Sequence, residues 1–234
     1  MALQVAAVCV VAYLIGSLPS GYLLVRAMSG LDVREFGSHN VGAINVFRVG
    51  GRAPGIATLL ADVGKAFVVV IGASALGFPA WAVCLAAFGV MVGHSLSVWF
   101  LLAEGRLSEG KSVACALGVI TGVAVIGLWP WYVAALPPAL WLVGLIGPRL
   151  LLGHWERISS VTMTAIVSVP VIAGLAGVRG PCLLLAVAMA LLVLARHRNN
   201  IVRLLHGAEP RLGERHVSDC SSPAPRRDEE AHQT

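Results

Sequence analysis

The chain has 234 residues, of which 57% are hydrophobic and only 12% charged. Water-soluble domains carry about 25% charged residues, so this composition excludes an ordinary soluble globule. Seventeen Lys+Arg against twelve Asp+Glu leave a net charge of +5, and in an apolar chain the placement of those charges carries more information than their sum.

A membrane-crossing helix needs about 20 mainly apolar residues. Seven stretches have that character: 3–27, 54–77, 79–103, 112–128, 131–148, 159–177 and 180–196. They predict an all-α integral membrane protein with about seven transmembrane helices. The first stretch has no basic residue ahead of it and is too long for a leader's apolar region, so it reads as a span. The fourth and fifth meet at Trp129-Pro130-Trp131, and Pro137-Pro138 falls inside the fifth. Each proline removes a helix hydrogen bond, so a kink is expected there. A shallow hairpin at that point would leave five full spans.

Seven alternating spans put every Lys and Arg except Arg179 on one side. Basic residues mark the cytoplasmic side. The N-terminus is therefore expected outside and the C-terminus in the cytoplasm. Residues 1–206 form the membrane domain. From Gly207 the chain turns polar, through Ser-Ser-Pro-Ala-Pro and Arg-Arg-Asp-Glu-Glu, and 207–234 reads as a disordered cytoplasmic tail. Cysteines 9, 84, 115, 182 and 220 form no CxxC. Four lie in apolar runs, where a thiol is packing material. No ligand spacing predicts a metal, and nothing predicts an organic cofactor or a nucleic-acid partner.

Three polar segments face the inner side. The first runs from Gly37 to Arg48 and contains Ser38, His39, Asn40, Gly42 and Asn45. Small residues let backbone N–H groups cradle an anion, Ser and Asn add neutral donors, and Arg supplies a bidentate fork. The plainer reading is a polar turn. The second segment, Gly105 to Ser112, fits the G-x-x-x-x-G-K-[ST] pattern. That pattern binds nucleotide only between a buried strand and a helix, and a membrane helix precedes it here. What survives is a glycine (Gly110), a lysine (Lys111) and a hydroxyl opening a helix whose N-terminus favours anions. The plainer reading is a lysine obeying the charge rule. The third segment is Arg196 to Arg203. Basic residues there could simply anchor a helix end at headgroups, but His197 and Asn200 share a helical face. Arg198 is expected to face water.

Asp62 and Lys65 lie inside the second stretch, and a mutual ion pair is their simplest account. His94 reads first as a satisfied interior histidine. Ser159 and Ser160 read as N-caps of the sixth stretch. No nucleophile elbow and no His-x4-Asp box is present.

In this order and on this side, the three segments resemble the bacterial acyl-phosphate:glycerol-3-phosphate acyltransferases, the PlsY family, over roughly 10–210. Tyr13 to Gly21 opens the similarity. The first segment resembles G-S-G-N-x-G-A-T-N-x-x-R. Asp62 to Lys65 resembles D-V-x-K-G, and Gly93-His94 resembles G-H-x-x-P. Gly110 to Ala114 resembles G-K-G-V-A, and His197 onward resembles H-x-x-N-I-x-R-L, with Gly207 and Glu209 as G-x-E. The resemblance implies a bacterial inner-membrane enzyme with seven spans. It implies acyl transfer from acyl phosphate to the 1-hydroxyl of glycerol 3-phosphate, giving lysophosphatidic acid and phosphate. It assigns Ser38 and Arg48 to the reacting phosphates, Lys111 and Gly110 to glycerol 3-phosphate, and His197 and Asn200 to completing the site. Asn40, Gly42 and Asn45 join the substrate-binding set. The chain departs from the family at His39 and Ser112 (both glycine there), Ile44, Ala66 and Ser97, and its second loop is longer. The competing readings are a repurposed non-catalytic homologue and a transporter of a phosphorylated small molecule.

Overall fold

The computed structural model describes residues 1–105, 110–152 and 157–209. The middle of the second loop and the chain beyond Glu209, including Cys220, lie outside it. Among the described residues every regular element is helical. In order they are α1 (Ala2–Ser17), α2 (Ser20–Ser29), a 3-10 turn (Val33–Glu35), α3 (Ala43–Gly50), α4 (Arg52–Ala75), α5 (Ala80–Ser95), α6 (Val98–Glu104), α7 (Val113–Val125), α8 (Trp131–Leu152), α9 (Ile158–Leu175), α10 (Gly180–Arg196) and α11 (Arg198–Leu205).

Five of these, counting α1 with α2 and α5 with α6 as single rods, are long and apolar enough to cross a membrane. The pair α10 and α11, bent by 62°, makes a sixth. The remaining apolar helix, α7, has 13 residues. At 1.5 Å per residue it spans about 20 Å, short of a hydrocarbon core of about 30 Å. It begins inside the bundle, where Ser112 is fully buried. Helix α8 is one continuous element through Pro137, Pro138 and Pro148. It packs against α9, with Trp141 Nε1 donating to Thr162 Oγ1 at 3.0 Å.

The distribution of side chains is that of a protein dissolved in lipid. Leu3, Val10, Leu60, Val68, Leu184 and Leu191 are exposed, while Asp62, His94, Ser95, Ser97 and Ser112 are buried. Helix α5 buries ten of its sixteen residues and is therefore the central rod. It lies parallel to α1, with Gly89 beside Cys9 and Ser97 beside Ser17, and neither Gly16, against the Val90 backbone, nor Gly93, against the Tyr13 carbonyl, has room for a Cβ. Small residues are how membrane helices approach this closely. Ser97 Oγ donates to the Ser17 carbonyl at 2.6 Å, and the Tyr13 hydroxyl to the Leu96 carbonyl at 2.8 Å. Helix α7 packs parallel to α4, with Cys115 beside Asp62, Gly118 against Val63 and Gly122 against Val70. Helix α10 runs parallel to α5: Cys84 meets Cys182 near their starts, and at the far ends Arg196 reaches Gly110, which lies on His94. These parallel pairings bring the loop before α4, the loop before α7 and the end of α10 to one end of the bundle.

Two described non-glycine residues hold left-handed backbone, His39 (φ +53°) and Ser112 (φ +55°). The resembled family has glycine at both of these positions; Ala66, the third place where this chain replaces a family glycine, lies inside helix α4. A left-handed L-residue costs roughly 1–2 kcal/mol. His39 recovers part of that through Nδ1, 2.8 Å from the Arg34 carbonyl. Ser112 recovers more: its hydroxyl donates to the Met91 carbonyl at 2.8 Å and meets Ser95 Oγ at 2.6 Å, all buried. His39→Gly is therefore expected to raise stability by about 1 kcal/mol. Ser112→Gly is expected to lower it by about 1 kcal/mol, because it strands Ser95 Oγ. Thermal unfolding in detergent measures both, and the two shifts should have opposite signs.

Candidate active site

The first loop is organised by one amide. Asn45, in the first turn of α3, is only 2% exposed. Its Oδ1 accepts from the Ser38 backbone N–H at 2.9 Å. Its Nδ2 donates to the carbonyls of Val33 (3.1 Å), Phe36 (3.1 Å) and Asn40 (2.9 Å). Asn40 in turn takes the Gly42 N–H on Oδ1 at 2.7 Å. Asn45, expected as a substrate ligand, thus spends its amide on the loop, because a buried turn must satisfy its own backbone. Ser38 is left on the rim of this turn. Arg48 is exposed, and its Cδ lies against Gly37, beside Ser38.

Arg34 fixes the loop to the bundle. Its guanidinium sits between the rings of Tyr22 and Phe100, 4.7 and 4.6 Å from their centroids. It binds Asp32 at 2.6 Å and Glu104, the last residue of α6, at 2.7 Å. These hydrogen bonds hold the Asp32 carboxyl below the usual carboxylate range.

Beneath the loops lies a buried ionic knot. Lys65 Nζ is 2.8 Å from Asp62 Oδ1, 3.0 Å from His94 Nδ1 and 2.9 Å from the Leu18 carbonyl. That carbonyl stands at the break between α1 and α2. Cys115 donates from Sγ to the Asp62 carbonyl at 3.3 Å. The expected Asp62–Lys65 pair is present, and His94 belongs to it. The donor atoms of Asp62, His94 and Cys115 lie within 4.8 Å of one another, a ligand set that suits zinc. The Lys65 ammonium already occupies the space between carboxylate and imidazole and supplies the positive charge, so the residues do not fit a metal.

The second loop descends onto this knot. Gly110 packs on His94 so closely that a Cβ would strike the His94 carbonyl. Arg196 Nε donates to the Gly110 carbonyl at 3.1 Å. Lys111 follows, and α7 begins two residues later. Beyond Arg196, where α10 ends, His197 marks the bend into α11. His197 is 3% exposed, with Nδ1 2.8 Å from the Val193 carbonyl. Nδ1 therefore carries the hydrogen, and Nε2 keeps its lone pair. Burial pushes this imidazole down to about 4, and the Lys111 charge nearby pushes the same way against the opposing Val193 carbonyl. Arg198 is exposed, as expected.

Asn200 is buried in a second network. It donates to Ser159 Oγ (2.8 Å) and Glu209 Oε1 (2.7 Å). Ser159 also donates to Glu209 Oε1, and Arg203 Nε to Oε2 at 2.7 Å. Arg157 Nε donates to the Glu209 carbonyl at 2.8 Å. Residues 207–209, read from composition as the start of a disordered tail, are thus packed against α9 and α11. Ser159 and Ser160 are not N-caps: Arg157 holds that position, and Ser160 Oγ donates to its carbonyl at 2.8 Å.

All the expected site residues lie at one end of the bundle, in two groups. Ser38, Asn40, Gly42, Asn45 and Arg48 form the first. Gly110, Lys111, His197 and Asn200 form the second, with the Lys65 knot beneath Gly110. Sequence reasoning missed Arg34 and Cys115. The aromatic partners of Arg34 are far away in the chain, so no local pattern could have found them.

The chain matches the family model for glycerol-3-phosphate acyltransferase over residues 6–207. It is 39% identical over 203 residues to a glycerol-3-phosphate acyltransferase of Synechococcus sp. (strain JA-3-3Ab), covering 87% of this chain and 91% of that one. It is 37% identical to glycerol-3-phosphate acyltransferase 2 of Rhizobium johnstonii (strain DSM 114642 / LMG 32736 / 3841), covering 87% and 94%. The crystal structure of PlsY (YgiH), an integral membrane glycerol 3-phosphate acyltransferase, in its glycerol 3-phosphate form superposes with a TM-score of 0.75 at 32% identity, covering 90% of this chain and 96% of that one. The lysophosphatidic acid form gives 0.72 at 30%, covering 89% and 95%.

Lys65→Met leaves the Asp62 carboxylate buried without its cation and should cost about 3–5 kcal/mol. Replacing both charges together, Asp62→Leu with Lys65→Met, should recover most of that loss in the same detergent unfolding measurement. His197 carries a pH signature. The unfolded imidazole takes a proton near 6.5, the folded one only near 4. Proton uptake between these values favours the unfolded chain. Stability should therefore fall as pH drops from about 6.5 to about 4, and His197→Asn should flatten that part of the profile.

Proposed function

This chain belongs to the glycerol-3-phosphate acyltransferase family, and from that premise we propose that it moves a fatty acyl group from acyl phosphate to the 1-hydroxyl of glycerol 3-phosphate. The products are lysophosphatidic acid and inorganic phosphate. The observation that carries this reading is the gathering of two phosphate-suited loops and a neutral, oriented imidazole at one end of a membrane bundle. We further propose that all seven apolar segments cross the bacterial inner membrane, with this end at the cytoplasmic face.

Acyl phosphate is a mixed anhydride, already activated, so no covalent acyl-enzyme is required. The protein has to hold two mutually repelling phosphates and bring a hydroxyl to the carbonyl carbon, and such positioning supplies several kcal/mol. Ser38 and Arg48 hold the acyl phosphate: the hydroxyl donates one hydrogen bond and the guanidinium a fork of them, steadying charge as phosphate leaves. Asn45 contributes by shaping the turn that presents Ser38. Lys111 and the N-terminus of α7 take the phosphate of glycerol 3-phosphate, an anion at a helix start. Gly110 permits that approach. His197 Nε2 accepts a hydrogen bond from the 1-hydroxyl and aims it. The proton leaves to an oxygen of the departing phosphate or through His197. Asn200, tied to Ser159 and Glu209, holds the turn after His197. The acyl chain lies among the lipid-facing helices, and no cofactor enters the scheme.

Purified protein given a long-chain acyl phosphate and glycerol 3-phosphate should release phosphate and form lysophosphatidic acid, while acyl-CoA should not replace the donor. Folded protein that yields neither product would refute the reading. Uptake of glycerol 3-phosphate into vesicles without acylation would favour transport instead. Ser38→Ala and Arg48→Ala should each lower turnover by about a hundred- to a thousandfold while leaving the unfolding midpoint unchanged.

A further inference from the structure

Helices α5 and α10 lie side by side, and each starts just after a short turn, at 76–79 and at 176–179. Cys84 is in the second turn of α5, and Cys182 is in the first turn of α10. Their Sγ atoms are 3.7 Å apart, and the residues are 5% and 9% exposed. The other described thiols are placed differently. Cys115 donates to the Asp62 carbonyl, and Cys9 lies on α1, half-buried. Neither Cys84 nor Cys182 enters the chemistry proposed above. Two sulfurs meeting inside a bundle from positions 98 residues apart are poised for a reaction that packing alone does not need.

We propose that Cys84 and Cys182 are a site of disulfide formation that joins α5 to α10. A disulfide needs sulfurs about 2.05 Å apart, so each sulfur has to move by roughly 1 Å, within reach of a small χ1 adjustment. The pair sits at the end of the bundle opposite Lys111 and His197, because both helices begin there. On the proposed topology that is the outer face, where disulfides persist. Burial in an apolar interior disfavours a thiolate and a bulky protein oxidant, and suits an uncharged one dissolved in the bilayer. A quinone meets that requirement. Both S–H bonds break, one S–S bond forms, and the two protons and two electrons reduce the quinone to its quinol. The bond closes a long loop and so limits the unfolded chain. It also fixes two rods whose far ends carry His94, under Gly110, and the turn to His197.

The test uses the full-length protein in native membranes. Membranes are treated with menadione or with dithiothreitol, then denatured and labelled with maleimide. After menadione, mass spectrometry should find a Cys84–Cys182 linked peptide that dithiothreitol removes. Cys84→Ser and Cys182→Ser should each abolish it, Cys84→Ala serving if the serine variant does not fold, and Cys9→Ser should keep it. The oxidised protein in detergent should unfold at least about 5 °C higher than the reduced protein. Maleimide on both Cys84 and Cys182 after menadione overturns the proposal. So does a linked protein whose unfolding midpoint does not move.

Discussion

A lysine buried among membrane helices must find compensation on the spot, because hydrocarbon provides none. Lys65 finds it from three directions: the Asp62 carboxylate, the His94 ring and the Leu18 carbonyl. Those partners belong to the break after α1, to α4 and to α5. Cys115 adds α7 through the Asp62 carbonyl. One ammonium thus ties α4 to α5 and to the break after α1, and the Cys115 contact adds α7 to the same place. The second loop rests on that point, since Gly110 lies directly on His94. The position of Lys111 therefore depends on a charge several residues beneath it that need never touch a substrate.

The same economy governs the first loop. A polar turn at the end of a bundle has to satisfy its own buried backbone before it can leave donors at its rim. Asn45 does the first task with a single side chain, and this leaves Ser38 at the rim. Arg34 does for the loop as a whole what Asn45 does within it. The aromatic faces of Tyr22 and Phe100 and the carboxylates of Asp32 and Glu104 hold one guanidinium at the edge of the bundle. The bundle can stay rigid while this end remains polar, because the residues that anchor the loop are not the ones at its rim.

Much of this was legible beforehand. Apolar runs bounded the rods, and the asymmetry of basic residues separated one set of loops from the other. Composition alone marked the segments around Ser38, Lys111 and His197 as suited to anions. Two of the family glycines replaced here, at His39 and Ser112, stood out only through resemblance, and the backbone gives the reason: both are left-handed. Two local rules misled. Ser159 and Ser160 were assigned to capping, yet Ser159 reaches Glu209. Composition placed Gly207 and Glu209 in a tail, although several polar side chains converge on that carboxylate.

By itself the sequence determined the solvent of this protein and the chemical character of its polar rim, since hydropathy and side-chain type are properties of residues taken one at a time or along a helix. Tertiary structure alone decided which polar groups are anchors and which are presented. Asn45 looks as available as Ser38 in the sequence, and nothing local marks His94 and the Leu18 carbonyl as further partners of Lys65. The physical reason is that a buried hydrogen bond or ion pair needs a partner in space. In a bundle of parallel and antiparallel rods those partners come from distant parts of the chain.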